Sequence, residues 1–581
     1  MNILKEKGET VLLGNEAIAR GALEAGAQFA ATYPGTPSSE IGDTFSAIQS
    51  SEDKLDDFYF EYAPNEKTAL ESVIGASYSG LKSIVSMKHF GLNVASDSFM
   101  PFLYTGCNGP TVIVVADDPS CHSSGQSEQN TRAFARLAHV PILEPSDPKE
   151  AKEFVKKGFE ISEEFDIPVM VRITTRVAHQ RQVVPLKEIN IPSPNGEFEK
   201  DFDQYVTMPP RVLELKSELL DKIGEIKQKS ERSEINPIES IDSHVSNLGI
   251  ITSGVSYNYI KEALNKLELE IPVLKLGYFY PLPEQKIENF IDDLEQVFVV
   301  EELEPYLEDK LKGLAKNNNS NLEIFGKELL TSAKEHFSEE LPATVEELKP
   351  EFVIKALSEI TEADSETERK ETESIEHIPR FCTSTGSESG SGCPYWRLFA
   401  AVKQAANQVE EEQDLDIVYG GDIGCYMMAG LSHTEMQDYL LNMGSSVGIS
   451  HGIQKALEHS NNESQKTIAF IGDSTFFHAG MPALVNAVYN DSDPLIIVAD
   501  NRITAMTGLQ PNPGMQETGM GEESSLIRIE DIAEAVGVEH IAVIDEVEEF
   551  EEMTETTKEF LDKDGVSMIV AKHPCWLNAQ Q

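Results

Sequence analysis

The sequence predicts an α/β protein of three stacked domains with mainly parallel sheets, and three observations carry that reading. Short apolar runs ending in small or acidic residues recur along the chain: "SIVSMKHFG", "TVIVVADDP", "IPVMVRITT", "LGIITSG", "VFVVEELEP", "DIVYGGDIG", "KTIAFIGDS", "PLIIVADNR" and "SMIVAKHPC". Strands covered on both faces read as unbroken Val/Ile runs of this kind, whereas half-exposed strands alternate. Helical periodicity follows each run, and strand alternating with helix argues for parallel sheets flanked by helices. Finally, 581 residues with 40% apolar content supply core for about three domains of ~150–200 residues each.

Two segments break the alternation. Residues 196–245 are polar and charged, and "KSELLDKIGEIKQKSERSEINPIES" reads as a helix followed by a connector. Residues 361–378, "TEADSETERKETESIEHI", hold almost no large apolar side chains and cannot contribute to a core. The expected division is a domain over 1–195, a connector over 196–245, a middle domain over 246–350, an acidic linker over 351–378 and a C-terminal domain over 379–581. "TVIVVADDP" and "PLIIVADNR" echo one another, which suggests that the outer domains share one fold.

The charge balance, 99 acidic against 47 basic residues for a net −52, excludes a general nucleic-acid binder, because no basic face of useful size can be assembled from it. It reads as a strongly solvated surface, suited to a salty medium that screens self-repulsion. No stretch of about 18 apolar residues suggests a membrane span, and the opening "MNILKEKGETVLLG" lacks the pattern of a secretory signal, so a cytoplasmic location is expected. Of six cysteines, Cys382, Cys393, Cys425 and Cys575 fall in the last third, and four thiols in one domain match the number that a tetrahedral metal or iron–sulfur site requires.

The strongest chemical signal begins at "IGDSTFF" and ends at "VADNRITAMTG". One strand closes on Gly472-Asp473-Ser474 and the next on Asp500-Asn501, so two hard oxygen ligands, Asp473 and Asn501, come from neighbouring strand ends. With the carbonyl of Ile503, they suit a magnesium ion that completes its octahedron with diphosphate oxygens. Gly472 is expected to let the backbone approach the phosphates, and the following helix offers its first N–H groups.

This segment resembles the thiamine-diphosphate motif, with Ser474 where a glycine is usual. "GNEAIARGALEAG", "YPGTPSSEI", "NEKTALE", "MKHFGLNVASD" and "DDPSCHSS" are similar to the 2-oxoacid:ferredoxin oxidoreductases, and more narrowly to alpha subunits of their indolepyruvate (arylpyruvate) branch. "ITSGVSY", "LGYFYPLPE", "VVEELEP", "GDIGCYMMAG" and "AMTGLQPNPG" carry the likeness through the rest of the chain.

The resemblance implies pyrimidine-binding and diphosphate-binding domains around a middle domain like the C-terminal domain of transketolase. It also implies oxidative decarboxylation of a 2-oxoacid such as indolepyruvate to an acyl-CoA, with magnesium, coenzyme A, a 4Fe–4S cluster and ferredoxin taking part. In "NEKTALE", Glu66 matches the family's glutamate, which acts on the aminopyrimidine of the cofactor. Thr36 and Ser38 of "YPGTPSSE", with Gly35, are expected beside the substrate carboxylate or the pyrimidine. His89, Asn93, His122 and Arg132 are further candidates, Arg132 because a guanidinium can grip a carboxylate with two bonds. Gly421, Asp422, Gly472, Ser474 and Thr504 are expected to line the diphosphate.

Cys425 of "GDIGC" and Cys575 of "KHPC" match two cluster ligands of the family. Cys393 matches the second cysteine of its CxxC pair, and Cys382 stands for the first, across a Gly/Ser stretch in place of the usual spacer. The longer loop adds closure entropy that grows only slowly with length. Tyr395 and Trp396 stand where the family tends to have a histidine. Many alpha subunits of this type continue into a ferredoxin-like domain, whereas this sequence ends at Gln581. Electrons would then need another subunit or a direct handoff to ferredoxin. The resemblance also implies a small beta subunit and a dimer of heterodimers. Two alternatives remain open at this level: a redox-silent 2-oxoacid decarboxylase that uses the same cofactor, and a non-catalytic subunit.

Overall fold

Each quoted apolar run folds as a strand of a mainly parallel sheet. The structure is a computed structural model and describes residues 2–123, 127–239, 247–363, 393–431, 434–460, 463–545 and 547–578. Cys382 and residues 364–378 of the acidic run lie outside the described residues. The chain divides into two compact units, Met1–Glu61 with Glu66–Thr372 and Tyr62–Asn65 with Glu373–Gln581.

The first unit holds a seven-stranded sheet in the order Tyr278–Tyr280, Ile142–Leu143, Val169–Thr174, Thr111–Asp117, Ser83–Lys88, Phe29–Thr32, Tyr59–Tyr62. The neighbours from Ile142–Leu143 to Phe29–Thr32 are parallel, so Thr32, Lys88, Asp117 and Thr174 end at one edge of the sheet. Every residue of Ser83–Lys88, Thr111–Asp117 and Val169–Thr174 is buried, which is why these strands show no alternation. The same unit holds a five-stranded sheet in the order Glu323–Phe325, Gln296–Val300, Leu248–Ser253, Val273–Leu276, Ile238–Glu239. Tyr278–Tyr280, from the expected middle domain, pairs antiparallel with Ile142–Leu143, so the chain crosses between the two sheets inside one unit.

Both expected connecting segments contain ordered structure. Within 196–245, Arg211–Glu231 is a helix that buries Leu215, Leu219, Ile223 and Ile226 on one stripe and packs on the His89–Thr105 helix. The acidic linker expected from 351 begins later: Pro350–Thr361 is a helix burying Phe352, Val353, Ile354 and Leu357 against the Ser256–Leu267 helix. Its apolar stripe belongs to the core.

A buried ion network lies inside this unit, and Arg132 is its centre. Arg132 donates to both Glu144 oxygens at 2.7 Å, to Ser253 Oγ at 2.9 Å and to the Glu302 carbonyl at 3.0 Å, and stands 3.3 Å from Glu301 Oε2. Its guanidinium stacks 4.3 Å from the Phe279 ring centre. Arg172 joins Asp117 at 2.7 Å to Glu144 at 3.3 Å. This corrects the expectation that Arg132 grips a substrate carboxylate, because its donors are spent on protein groups and its side chain is 1% exposed.

Glu302 carries the network's unmet demand. One oxygen accepts from the Leu348 N–H at 3.0 Å while Oε1 is buried without a hydrogen-bond partner. Burial, and then the nearby Glu347, push its carboxyl up to about 7. A carboxyl with a raised folded-state pKa keeps its proton in the folded state, and the stability so contributed is lost as pH rises through that value. Glu302→Gln is therefore expected to gain melting temperature over the parent progressively between pH 5 and about 7. The two should converge at lower pH; parallel melting curves at all pH values would refute the assignment.

The second unit is built on a five-stranded parallel sheet in the order Asp416–Gly420, Gln465–Gly472, Leu495–Asp500, Ser567–Lys572, His540–Ile544. The Tyr395–Gln413 helix covers one face through Leu398, Phe399, Val402 and Val409, and Val447, Phe476, Leu484 and Ile529 pack on the other. Thr111–Asp117 and Leu495–Asp500, the two echoing runs, each have parallel neighbours on both sides within their own sheets.

Candidate active site

In the second unit, parallel register brings Gly472 opposite Ala499, so Asp473 and Asp500-Asn501 emerge together from neighbouring strands. Asp473 is 3% exposed, and its Oδ2 accepts from Asn512 Nδ2 at 2.9 Å. Asn501 Oδ1 accepts from the Ile503 N–H at 3.1 Å, closing a tight loop around Arg502, whose φ of 58° is left-handed. A non-glycine residue in that region costs roughly 1–2 kcal/mol and persists where neighbouring bonds determine it. Thr504 Oγ1 donates to Ser474 Oγ at 3.0 Å, which joins the two loops a second time.

The carboxylate of Asp473, the amide oxygen of Asn501 and the carbonyl of Ile503 are all hard oxygen donors, the set that magnesium takes. Their burial fits a cation as well. Asp473 and Asp500 are both largely buried, and burial, followed by the Asp500 charge, pushes the Asp473 carboxyl up to about 7. Lys572 stands 4.0 Å from Asp500 and is shared with Glu530 at 2.7 Å. A divalent ion beside Asp473 would relieve that surplus negative charge. Among the described residues no three His, Cys, Asp or Glu side chains come together as a metal-ion group.

Asn512 was not singled out by the sequence, and only the "QPNPG" turn hints at a structural demand there. It orients Asp473 from 39 residues away. Asn512→Ala is expected to weaken magnesium-dependent thiamine-diphosphate binding by about 10–100-fold, the usual cost of removing a group that orients a metal ligand. Titration calorimetry at fixed magnesium checks this, and unchanged affinity would remove Asn512 from the site.

One expectation in this unit gains a second reason and another is corrected. Gly472 is required by protein packing: a Cβ there would stand 2.5 Å from the Tyr426 ring. Tyr426 in turn donates to the Ile423 carbonyl at 2.6 Å. Asp422 caps a helix from within the protein, its carboxylate accepting from Ile423 N and Gly444 N at 2.7 Å and Ser446 N at 2.8 Å at the start of Ser445–His459. It is fully buried and acceptor-only when ionised, a poor neighbour for diphosphate. Gly421 lies beside it, with its N–H bonded to the Tyr439 carbonyl at 2.8 Å.

Cys393, Cys425 and Cys575 are each partly exposed. Cys393 and Cys425 pack on the same apolar cluster, and the Cys575 N–H bonds to the Asn501 carbonyl at 3.3 Å.

In the first unit, Glu66 opens the Glu66–Tyr78 helix and is 6% exposed. Its side chain occupies the space over Gly91, where a Cβ would stand 2.5 Å from Glu66 Cγ. The "YPGTP" turn follows the Phe29–Thr32 strand, so Glu66 and Thr36 both lie near the edge where the parallel strands end. Ser38 closes that turn through its Oγ to the Gly35 carbonyl at 2.7 Å, so its hydroxyl is not offered to a substrate. His89 is fully buried with Nε2 3.3 Å from the Ser127 carbonyl, and burial holds its imidazole below its ordinary pKa. Asn93 is exposed and donates to Gln129 at 2.7 Å.

Fold and strand-end chemistry define a thiamine-diphosphate enzyme, and comparison with known proteins agrees. Residues 20–233 match the thiamine-diphosphate-binding model of pyruvate flavodoxin/ferredoxin oxidoreductase, 240–381 the indolepyruvate oxidoreductase domain, and 422–571 the C-terminal TPP-binding domain of thiamine pyrophosphate enzymes. Indolepyruvate oxidoreductase subunit IorA of Methanothermobacter thermautotrophicus is 41% identical over 99% of this chain and 88% of its own length. The protein of the same name from Pyrococcus horikoshii is 40% identical over 98% of this chain and 86% of its own length. The chain belongs to the indolepyruvate oxidoreductase IorA family, alpha subunits of 2-oxoacid oxidoreductases. Among the described residues no helix is long and apolar enough to cross a membrane.

Proposed function

We propose that this chain is the catalytic subunit for oxidative decarboxylation of an arylpyruvate such as indolepyruvate to its acyl-CoA, with electrons leaving through a 4Fe–4S cluster to ferredoxin. Within the family just established, the observation that carries this reading is the pair of strand ends bearing Asp473 and Asn501. Asp473, Asn501 and the Ile503 carbonyl would hold magnesium, with Ser474 and Thr504 beside the diphosphate. When bound, thiamine diphosphate supplies the electron sink for decarboxylation. Glu66 would hold a proton at the aminopyrimidine nitrogen, with Thr36 beside the reacting carbon. The cluster would need Cys393, Cys425 and Cys575, which do not form a metal-ion group among the described residues, to be drawn together with Cys382. A smaller beta subunit completes the enzyme, as a dimer of heterodimers in the cytoplasm.

The test is anaerobic purification of the chain with its smaller partner. Arylpyruvate- and CoA-dependent ferredoxin reduction, with iron and acid-labile sulfide near four per protomer, is the expected result. Carbon dioxide release from iron-free protein would instead favour a redox-silent decarboxylase. Absence of thiamine-diphosphate binding would leave only the non-catalytic reading.

A further inference from the structure

The Pro119–Cys121 turn, just past the end of the Thr111–Asp117 strand, has two successive non-glycine residues in the left-handed region: Ser120 at φ 64° and Cys121 at φ 50°. Such residues are uncommon and survive where surrounding bonds determine them. Here the determining bonds come largely from one carboxylate. Glu128 Oε1 accepts from the Ser120 N–H at 2.5 Å and from the Glu346 N–H at 3.0 Å. Glu346 is itself left-handed, at φ 70°. Ser120 Oγ accepts from the Glu347 N–H at 2.8 Å, so the turn and the 346–347 loop are tied twice. Asp118 anchors the near side, taking Lys88 Nζ at 3.0 Å and Thr175 Oγ1 at 2.6 Å.

This strained turn stands at the same sheet edge as Thr36. Thr111–Asp117 is two strands from Phe29–Thr32 in the sheet, roughly 10 Å at the usual strand spacing. A 2-oxoacid reacting beside Thr36 and Glu66 would extend an aromatic ring from its keto carbon along much of that distance. Cys121 is partly exposed, and the His122 side chain is 41% exposed.

We propose that Glu128 is a positioning residue for the 2-oxoacid: by bridging Ser120 and Glu346 it holds Cys121 and His122 where the substrate's aromatic side chain lies. This rests on the arylpyruvate reading above. The experiment uses the two-subunit enzyme with Glu128→Ala and Glu128→Gln. Glu128→Ala should raise the arylpyruvate KM about 10-fold, equivalent to ~1.4 kcal/mol, with kcat and thiamine-diphosphate affinity within twofold. Glu128→Gln, which keeps one acceptor oxygen, should recover most of the loss.

Alkylation of Cys121 by iodoacetamide, followed on its peptide by mass spectrometry, gives a second readout. It should be slowed by arylpyruvate in the parent enzyme and accelerated in Glu128→Ala. Unchanged KM with only a lower melting temperature would reduce Glu128 to a structural role and overturn the proposal. Turnover without protection of Cys121 would overturn the substrate contact. No 2-oxoacid turnover by the parent enzyme would instead defeat the functional reading and its substrate half here, while equal alkylation rates in parent and variant would defeat the latch itself.

Discussion

Glu66→Gln is expected to lower kcat by about 10²–10⁴-fold, the range for removing a group that moves a proton in catalysis. The substitution is nearly isosteric, so the packing of the side chain over Gly91 survives and the helix that begins at residue 66 is not disturbed. Thiamine-diphosphate affinity should therefore change little, because the oxygen ligands that would anchor its diphosphate lie at Asp473, Asn501 and Ile503. Glutamine keeps the shape of the side chain but cannot take up or release the proton that a carboxyl group exchanges. Single-turnover kinetics beside calorimetric titration of the cofactor separates the two effects. A variant that retains kcat within twofold would remove Glu66 from the chemistry; one that loses cofactor binding and activity together would make it a binding group.

The sequence carried the fold where burial is complete and local. The runs that became Ser83–Lys88, Thr111–Asp117 and Leu495–Asp500 are apolar because both sheet faces are covered, and that signal needs no partner to be read. Ile142–Leu143 and Tyr278–Tyr280 were invisible because they are two or three residues long and their pairing joins distant parts of the chain. The helix at Pro350–Thr361 was hidden by the acidic residues after it, although its own apolar stripe is plain once its start at Pro350 is known.

The site divides in the same way. Asp473 and Asn501 were legible because adjacent parallel strands deliver their ends to one place, a rule of topology that spacing alone can invoke. Asn512 and Tyr426 were not, since a loop residue that orients a ligand and a ring that fills the space over Gly472 leave no periodic trace. Asp422 looked like a diphosphate neighbour because it sits in "GDIG"; only the fold shows the end of Ser445–His459 arriving to take its oxygens. Ser38 was legible only in part, since the proton of its hydroxyl is used inside its own turn.

Arg132 is the sharpest case, and its replacement has the largest expected effect on stability. Arg132→Met would leave Glu301 without this guanidinium and Glu144 with Arg172 alone, and breaking one side of a buried ion pair costs roughly 3–5 kcal/mol. Its partners lie 12 and 169 residues away, so no local pattern announced them. A substrate-gripping arginine predicts the opposite signature: a raised KM for the 2-oxoacid at unchanged melting temperature. The network predicts a melting temperature lower by several degrees, with KM little altered in the fraction that stays folded. The double variant Arg132→Met with Glu144→Leu distinguishes a missing charge partner from lost shape. Removing both charges should recover part of the stability, because replacing a buried pair by apolar side chains is often neutral, whereas orphaning one member is not. A double variant no more stable than Arg132→Met would mean that the Phe279 stack and the bonds to Ser253 and the Glu302 carbonyl, rather than the pairing with Glu144, hold this part of the unit together.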